Sequence, residues 1–318
     1  MLLSICIPTY NRAQYLKESL DILLPQLLPL KADVEVLVSD NCSTDNTQEV
    51  VERAQAQYSI DLAYTKNEKN IGGNNNMVKV VARAKGEYVY IMGDDDYLSP
   101  DFLAILFRLL KRDEDYSLLF FNRLSGDINC SHCHLADPHY QELERIMSPK
   151  AFIFDVMRNA NFISSIVFKR QCWDLGEAHL KDAEYFGYNW FARIYWGAVE
   201  YGKDCIYYYM PLVIQRNGPK TWLKFWAQYL ISSMSNIFYD LDEFVPGVYE
   251  KWLKQLKKDL PNVLPYVSFY RSYYRQDAVK KMILKHLSTS ERIKYYYYLV
   301  PGTNFMYRAF EKVKRSFK

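Results

Sequence analysis

Apolar runs and helix-spaced leucines alternate along the first half of the chain. Leu2–Pro8 and Val34–Val38 are short, nearly continuous apolar runs, the pattern of strands buried on both faces of a sheet. Between them, leucines recur at steps of three and four residues, which places them on one helix face: Leu16, Leu20, Leu23 and Leu27. The alternation predicts an α/β fold with a mostly parallel central sheet.

The same alternation leads into a run of three aspartates. We predict a third strand over Leu62–Thr65 and a helix over Asn74–Ala84. A fourth predicted strand, Glu87–Met92, runs straight into Asp94–Asp96. Ligands of open α/β sheets bind beyond the carboxyl ends of the strands. This aspartate run and Asp40, which follows the second strand, are therefore predicted to lie at the ligand-binding edge.

Two polar residues are predicted to cap helices, whose first N–H groups have no partner within the helix. Asn11 precedes the leucine-spaced segment and is the expected N-cap of that helix. Asp45 precedes the next helix, and Gln48 three residues later completes a box-like cap.

The second half of the chain has weaker patterns. A helix is predicted over Pro100–Arg112 and strands over Leu118–Asn122, Phe162–Phe168 and Ile206–Tyr209, whereas Ser125–Arg145 is expected to be a long loop or insertion. Beyond Arg216 the strand signals stop and the pattern becomes helical. We therefore expect a domain over 1–217, with a nucleotide-binding half (1–112) and an acceptor half (113–217), and a helical C-terminal region over 218–318.

Composition narrows the class of protein. The 318 residues are 49% hydrophobic and 24% charged, which is ordinary for globular proteins. The net charge of +3 is too small to indicate specific nucleic-acid binding, and no apolar run approaches the roughly 20 residues of a membrane span. Six scattered cysteines and no signal-peptide pattern predict a reduced, cytoplasmic protein. Zinc at Cys130–His134 is a weaker reading, since structural sites usually draw on two separated clusters.

Three adjacent carboxylates at the end of a buried strand need a physical reason, because like charges raise one another's pKa. A divalent cation is one reason, since carboxylate oxygens suit Mg²⁺ or Mn²⁺ and such ions share their shell with substrate phosphates. The alternative is an acidic turn before the helix that begins near Ser99 and Pro100.

The run belongs to a series of five ordered motifs: ICIPTYNR from Ile5, VSDNCSTD from Val38, Asn70–Gly72, AKGEY from Ala84, and GDDDYLSP from Gly93, which contains the run itself. In this order they resemble family 2 of the inverting glycosyltransferases, which have the GT-A fold, and more narrowly its bacterial abequosyltransferase-like members with a Gly-Asp-Asp-Asp motif. The resemblance covers residues 2 to about 103 and extends weakly to about 217. It implies a nucleotide-sugar donor, a glycan acceptor and Mn²⁺ or Mg²⁺.

The resemblance also implies roles for individual residues. The expected nucleotide pocket is lined by Pro8, Thr9, Tyr10 and Arg12, although a packed turn also explains the last two. Asp40 matches the aspartate that hydrogen-bonds the donor base. The loop that closes over ribose and base would contain Asn70, Gly72 and Asn76, with Gly72 supplying backbone freedom.

The aspartate run departs from the commoner Asp-x-Asp-Asp pattern, because Gly93 stands where the first aspartate would be. Asp95 and Asp96 then align with the later pair, and Asp94 takes the variable place. The resemblance implies metal ligands among Asp94, Asp95 and Asp96, with a neighbour holding the donor ribose.

The catalytic base is less clear, since the family's Glu-Asp pair is absent before the helix near Trp190–Gly202. Asp182 and Glu184 are the nearest carboxylates, and a solvated helix start explains them equally well. Asp137 and His134 are the next candidates. Arg216 resembles a basic residue that some members hold near the diphosphate, and an ordinary surface arginine is the alternative.

Aromatic and basic residues dominate the C-terminal tail, in Tyr295–Val300, Phe305–Phe310 and Lys312–Lys318. Such a helix can lie on a membrane surface, which suits a lipid-linked glycan acceptor and a protein peripheral to the inner face of the cell membrane. The alternative is a helix packed on the catalytic domain with a solvated basic end.

Two further functions stay open at this point. A nucleotidyltransferase that makes a nucleotide-sugar shares the α/β layout and the acidic residues, but it is expected to have a Gly-rich phosphate loop after the first strand. A catalytically lapsed sugar-binding protein would explain the missing Glu-Asp pair.

Overall fold

The computed structural model of the chain describes residues 1–60, 62–138, 142–156, 162–180, 189–217, 233–269 and 288–290. The chain divides into two compact units. The larger comprises Met1–Leu180 and Asn189–Gly218, and the smaller Lys181–Tyr188 and Pro219–Lys318. The boundary expected between residues 217 and 218, and the division at 112, stay predictions.

Strands and helices alternate through the first part of the larger unit, as predicted. Its elements are β1 (Leu3–Thr9), α1 (Ala13–Leu27), β2 (Val34–Asp40), α2 (Thr47–Tyr58), β3 (Leu62–Lys66), α3 (Gly73–Val81) and β4 (Tyr88–Ile91). β1 pairs in parallel with both β2 and β4, and β2 pairs in parallel with β3. This half is therefore a parallel α/β layer.

The rest of the larger unit extends the sheet with strands of both directions. Its elements are β5 (Tyr97–Leu98), α4 (Phe102–Leu110), β6 (Leu118–Asp127), β7 (His134–Leu135), β8 (Glu144–Met147), α5 (Pro149–Val156), β9 (Ile166–Lys169), α6 (Arg170–Glu177), α7 (Asn189–Tyr201) and β10 (Cys205–Asn217). Short 3₁₀ turns at Leu28–Leu30 and Ile163–Ser165 follow α1 and precede β9.

The described residues form one sheet of ten strands in the order β3-β2-β1-β4-β9-β6-β10-β5, with β7 on β6 and β8 on β10. β9 is antiparallel to both β4 and β6, so β6 has the direction of β4, and β10 pairs in parallel with β6. The carboxyl ends of β1, β2, β4, β6 and β10 consequently meet at one edge, which we call the carboxyl edge.

The core lies where α1 and α4 cover the parallel strands. The four helix-spaced leucines of α1 are all at most 2% exposed, which confirms the period read from the sequence. Phe102 of α4 packs against Tyr90 of β4 and Phe121 of β6, with ring centroids 5.1 and 5.2 Å apart. Burying such aromatic side chains stabilises the fold that presents the carboxyl edge.

Both predicted helix caps are wrong in detail. α1 begins after Arg12, and Asn11 instead accepts the backbone N–H of Thr44 through Oδ1 at 2.7 Å. Asp45 bridges two helix starts, accepting the N–H of Ala13 at 2.9 Å and that of Thr47 at 3.2 Å. One carboxylate thus satisfies donors of α1 and α2, a contact between segments that local sequence patterns do not reveal.

The segment 125–145 is not simply a loop. β6 continues to Asp127, β7 pairs back on it, and β8 pairs with β10 at the sheet edge. Its polar sequence hid these strands, because β7 and most of β8 are exposed or partly exposed.

The described part of the smaller unit is helical. It contains α8 (Met234–Leu241) and α9 (Val248–Phe269). Trp252 donates its indole N–H to Oγ of Ser235 at 2.9 Å and lies 4.9 Å from the ring of Phe238. Of the described helices, none combines the length and apolar character needed to span a bilayer.

Candidate functional site

The carboxyl edge collects polar residues from widely separated parts of the larger unit. Thr9 ends β1, the aspartate run follows β4, Ser164 precedes β9, and Arg216 lies near the end of β10. Asp94 and Asp96 are 6% and 4% exposed, whereas the Asp95 side chain is 23% exposed. The edge therefore holds buried charge, which needs partners or a ligand.

Asp94 is held by the turn that follows β1. Thr9 Oγ1 donates to Oδ2 of Asp94 at 2.7 Å, and Arg12 Nη1 donates to Oδ1 at 3.1 Å. The same Arg12 nitrogen donates to Oδ2 of Asp95 at 2.6 Å. Thr9 and Arg12 thus orient the aspartate run. Their predicted place in the lining of a nucleotide pocket stays a prediction, and the Arg12 side chain is 29% exposed.

Asp96 is held from β9's side of the sheet. Ser164 Oγ accepts the backbone N–H of Gly93 at 2.8 Å and donates to Oδ2 of Asp96 at 2.6 Å. A Cβ placed on Gly93 would lie 2.6 Å from that same oxygen. The departure from the commoner family pattern therefore has a steric reason, because a side chain at 93 would displace Asp96.

The backbone of the run is fixed by α1. The hydroxyl of Ser19 is fully buried and lies 3.0 Å from the carbonyl oxygens of both Asp94 and Asp96, to which it donates. Because one hydroxyl contacts the carbonyl oxygens of residues 94 and 96, Ser19 holds these two carbonyls close together and fixes the backbone of the aspartate run.

Arg216 is neither a surface arginine nor exposed to a diphosphate, because its side chain is only 3% exposed. Nε donates to the carbonyl oxygen of Asp95 at 2.5 Å. Nη1 forms a 2.6 Å ion pair with Oε2 of Glu18 and a 2.7 Å hydrogen bond with the Tyr97 hydroxyl. Arg216 therefore stabilises the backbone of the aspartate run from the protein interior and links it to α1 through Glu18.

Burial opposes ionisation of the aspartates. It raises the pKa of Asp94 to about 6 and that of Asp96 to about 7, and the charge of Asp95 adds to both shifts. Arg12 works in the opposite direction on Asp94. Both carboxyl groups consequently titrate near neutral pH in the metal-free protein, so a positive ligand stabilises their ionised form.

The ionised groups bonded to one another here do not balance. When ionised, Glu18, Asp94, Asp95 and Asp96 carry four negative charges, and the arginines bonded to this group, Arg12 and Arg216, carry two positive charges. Arg123 also interacts with the charge of Asp96, so the remaining excess of negative charge favours a positive ligand without fixing its valence. Oδ1 of Asp95 has no hydrogen-bond partner among the described residues, and Oδ1 of Asp96 has only a long 3.4 Å contact with the N–H of Arg216.

The three aspartates do not form a complete metal cage. Within the described ranges, no three carboxylate, imidazole or thiol groups converge to hold a metal ion. The reason is orientation, because Asp94 is turned toward Thr9 and Arg12 and Asp96 toward Ser164. A cation at this edge would therefore have to take ligands from a substrate or from water, as Mg²⁺ commonly does. The same finding disfavours zinc at Cys130–His134, because no three potential ligands converge there among the described residues. The thiols of Cys130 and Cys133 form no disulfide bond.

Asp40 lies inside the fold. It is 0% exposed, and it accepts the N–H of Ser43 at 2.7 Å and the hydroxyl of Tyr64 at 2.6 Å. Both carboxylate oxygens are thus used to hold the loop after β2 against β3. A direct contact between Asp40 and a base stays a prediction, and in this conformation the carboxylate has no exposed oxygen for it.

Asn76 supports the loop rather than lining it. It is 1% exposed, accepts from Ser39 Oγ and Asn67 Nδ2, and donates to the carbonyl of Ser39. Its predicted contact with a ligand stays a prediction, and in this structure each polar atom of the amide already serves the fold. Asn74 was missed from the sequence, and its Oδ1 is buried without a partner among the described residues.

Other predicted pocket residues lie at the surface of the same region. Gly72 has φ +86°, which confirms its predicted backbone freedom, and Asn70 Oδ1 accepts its N–H at 2.9 Å. Tyr10 is 43% exposed, and Pro8 just before it is partly buried. These residues leave an accessible surface beside the aspartate run.

The candidate bases come from different parts of the chain. Asp182 and Glu184 lie outside the described residues. Of the alternatives, Asp137 accepts the Tyr207 hydroxyl at 2.8 Å through Oδ2, and His134 is exposed on β7.

The sheet order, the covering helices and the acidic run at the carboxyl edge define a glycosyltransferase with the GT-A fold. The family model for glycosyl transferase family 2 matches residues 4–164, about half of the chain. The chain belongs to this family. Its nucleotidyltransferase alternative therefore has no support.

Curated relatives are also glycosyltransferases. The chain is 31% identical over 230 residues to the abequosyltransferase RfbV of Salmonella typhimurium, across 68% of this chain and 67% of that protein. It is 33% identical over 127 residues to the poly(ribitol-phosphate) beta-N-acetylglucosaminyltransferase TarS of Staphylococcus aureus, an alignment that covers 40% of this chain but only 21% of TarS.

Solved structures share the fold at low sequence identity. TarS residues 1–349 match with a TM-score of 0.59 and 16% identity, over 100% of this chain and 92% of that one. The mannosyltransferase PcManGT of Pyrobaculum calidifontis, in complex with GDP-Man and Mn²⁺, matches with a TM-score of 0.54 and 16% identity, over 98% and 86% of the two chains.

Proposed function

We propose that this glycosyltransferase moves a hexosyl or deoxyhexosyl group from a nucleotide-sugar donor to a hydroxyl of a bacterial surface glycan, with inversion and with a divalent cation. The excess of buried carboxylate at the carboxyl edge carries the proposal, since a divalent cation held there would compensate it and would supply positive charge for a diphosphate. The relative RfbV, an abequosyltransferase, supports the reaction type.

Mn²⁺ or Mg²⁺ fits the oxygen donors available here. Asp95 and Asp96 would hold it, because each has one carboxylate oxygen without a strong partner. When bound, the cation supplies positive charge for the departing nucleoside diphosphate. Asp94 has a different role. Thr9 and Arg12 both donate to its carboxylate, and the bond from Arg12 keeps that guanidinium next to Asp95.

The donor nucleotide is proposed to lie on the exposed surface from Tyr10 to Gly72. Tyr10 offers an accessible ring, and Asn70 and Gly72 belong to a loop that turns at Gly72, where φ is +86°. Asn41 holds that loop, because its side chain donates to Oδ1 of Asn70 and accepts the backbone N–H of Ile71. Asp40 and Asn76 fix the end of β2 beside it. The complex of TarS with UDP-GlcNAc and that of PcManGT with GDP-Man support a nucleotide-sugar at this fold.

The acceptor side of the proposal rests on chain segments outside the described residues. Asp182 or Glu184 is proposed to take the proton of the acceptor hydroxyl as that oxygen attacks the anomeric carbon. The aromatic and basic tail after residue 294 is proposed to bind a membrane surface, which would place a lipid-linked glycan within reach at the inner face of the cell membrane.

Donor hydrolysis tests this function without knowledge of the acceptor. The purified chain is incubated with UDP-, GDP- and CDP-sugars in Mn²⁺, in Mg²⁺ or in EDTA, and released nucleoside diphosphate is measured. We expect release from at least one donor with a cation and none in EDTA. Asp95→Asn is expected to abolish release, while the matched change at exposed Asp101 leaves it intact. Equal release of nucleoside diphosphate with the cation and in EDTA would contradict the cation dependence. No release from any of the three kinds of nucleotide-sugar, with or without the cation, would contradict the proposed class of donor.

A further inference from the structure

Glu18, on α1, forms an ion pair with Arg216 next to the aspartate run without belonging to the run. The Arg216 side chain is only 3% exposed, whereas that of Glu18 is 32% exposed. Its Oε2 lies 2.6 Å from Arg216 Nη1 and accepts the Tyr97 hydroxyl at 2.8 Å. Since Arg216 Nη1 also donates to that hydroxyl at 2.7 Å, the three side chains form a closed triangle. Because these hydrogen bonds involve charged groups and the Arg216 side chain is only 3% exposed, the three side chains have few alternative arrangements.

Aromatic rings complete the enclosure of Arg216. Its guanidinium lies 3.9 Å from the centroid of the Tyr97 ring and 5.3 Å from that of Tyr15. With the side chain 3% exposed, Arg216 cannot reach a ligand in solvent without moving. Its effect on the reaction must therefore pass through the residues that it touches.

Those residues belong to the proposed cation site. Arg216 reaches Asp95 through the carbonyl oxygen, at 2.5 Å, and reaches Asp96 only through a long contact from its backbone N–H. Both contacts leave the Asp95 carboxylate available for a ligand. Arg216 Nη2 is buried and has no partner among the described residues.

The unpartnered Nη2 shows that the Arg216 guanidinium has a donor to spare, which Glu18 keeps away from the aspartate carboxylates. A guanidinium released from Glu18 would be a buried cation with spare donors, beside a run of carboxylates whose Asp95 carbonyl oxygen it already contacts at 2.5 Å. An arginine bound there would occupy the oxygens needed by a divalent cation. With Glu18 in place, Arg216 is neutralised and directed to a backbone carbonyl.

We infer that Glu18 is a positioning residue of the transferase site, which holds Arg216 off the aspartate carboxylates and so keeps them free for the cation and the diphosphate. The inference rests on the proposed cation-dependent donor binding. Tyr97 takes part, because its hydroxyl joins Glu18 to Arg216.

Glu18→Gln tests the inference, because it keeps the shape of the side chain and removes its charge. Calorimetry on the full chain measures binding of UDP, CDP and GDP with Mn²⁺, and of the corresponding nucleosides. For the diphosphate that wild type binds, we expect Glu18→Gln to lose about tenfold in affinity, within the range of couplings between contacting residues. Nucleoside affinity is expected to stay within twofold.

Glu49→Gln is the matched control, because Glu49 also pairs with an arginine on a helix, but at 52% exposure. It is expected to bind like wild type. The double change Glu18→Gln with Arg216→Gln removes both charges, so it is expected to bind the diphosphate more tightly than Glu18→Gln alone. If Glu18→Gln does not fold, Tyr97→Phe serves instead, with an expected loss of about threefold.

The outcomes separate this inference from the proposed function. If wild type binds no diphosphate better with Mn²⁺ than with EDTA, the proposed function fails. If wild type shows that dependence and Glu18→Gln binds like Glu49→Gln, the positioning role is refuted. A loss of nucleoside affinity equal to the loss of diphosphate affinity would also refute it, because it would indicate a general structural defect.

Discussion

Two runs of three acidic residues lie at opposite edges of the same sheet. Asp94–Asp96 follows β4 at the carboxyl edge, and Asp113–Asp115 precedes β6 at the other, where the run lines an open hollow of about 570 Å³. Asp113 and Glu114 are exposed to water. The runs are alike in sequence, so their difference shows what position in the fold adds.

Partners decide the state of each run. Partial burial raises the pKa of Asp115, but hydrogen bonds from Lys169, Tyr201 and Tyr88 outweigh it and hold that pKa below its usual range. At the carboxyl edge burial dominates and raises the pKa of Asp94 and Asp96. One run is satisfied by its neighbours and by water, whereas the other retains a demand for positive charge. That demand, more than the acidic sequence, marks the candidate site.

The largest expected effect is on cation-dependent binding. Asp96→Asn is expected to weaken the binding of a nucleoside diphosphate with Mn²⁺ at least about 100-fold, because it removes a charged ligand oxygen. Asp113→Asn at the other edge is the matched change and is expected to have no effect. Isothermal titration calorimetry measures both. Equal losses in the two variants would remove the distinction between the edges.

Gly93→Ala is the next largest. The added Cβ would lie 2.6 Å from Oδ2 of Asp96, and overpacking of this kind costs about 1 to 3 kcal/mol. We expect a lower Tm and a loss of about tenfold or more in donor hydrolysis. Gly73→Ala, whose Cβ meets nothing within 4 Å, is the control. Full activity of Gly93→Ala would contradict the steric reason for this glycine.

The pH dependence of metal-free stability is expected to be smaller. Folding raises the pKa of Asp94 and Asp96 above the ordinary 3.8, so the folded protein holds more protons than the unfolded chain. Their contribution is therefore fully present below pH 3.8 and is lost progressively as pH rises from there through about 6 to 7. In EDTA, the double variant Asp94→Asn with Asp96→Asn is expected to lose less Tm between pH 5 and pH 8 than wild type. Parallel curves would contradict the raised pKa values.

The smallest effect concerns Asp40. Asp40→Asn places an amide where Ser43 N–H and the Tyr64 hydroxyl now donate, and a buried group left unpaired costs about 1 to 3 kcal/mol. We expect Tm to fall while affinity for the nucleoside diphosphate changes less than threefold. A large loss of affinity at unchanged Tm would instead support a direct contact with the base.

Local patterns in the sequence predicted much of this fold and the place of the site. The apolar runs and leucine spacing predicted β1, α1, β2 and β4, and the edge rule placed the aspartate run correctly. Ser19 and Ser164 could not be predicted, because they are ordinary polar residues that meet the run only in three dimensions, at separations of 68 to 77 residues. Glu18 could not be predicted either, because it reaches the run only through Arg216 and Tyr97. The strands within residues 125–145 were not predicted, because they are defined by pairing with neighbouring strands and have no hydrophobic pattern of their own.

Asp40 and Asn76 show the opposite limit. The motifs placed both residues correctly beside the candidate nucleotide loop, but a motif does not distinguish a residue that touches a ligand from one that supports the loop. Burial makes that distinction, since these residues are 0% and 1% exposed. Their roles follow from bonds to Ser43, Tyr64 and Ser39.

The most direct test is where Mn²⁺ binds. Crystals of the chain with Mn²⁺ and the nucleoside diphosphate that it binds, measured at the manganese absorption edge, report the ion by its anomalous signal. We predict one peak at coordinating distance from the carboxylates of Asp95 and Asp96, adjacent to the diphosphate, and none at Asp113–Asp115. A peak at the other edge, or a bound diphosphate with no peak beside Asp95 and Asp96, would contradict the account.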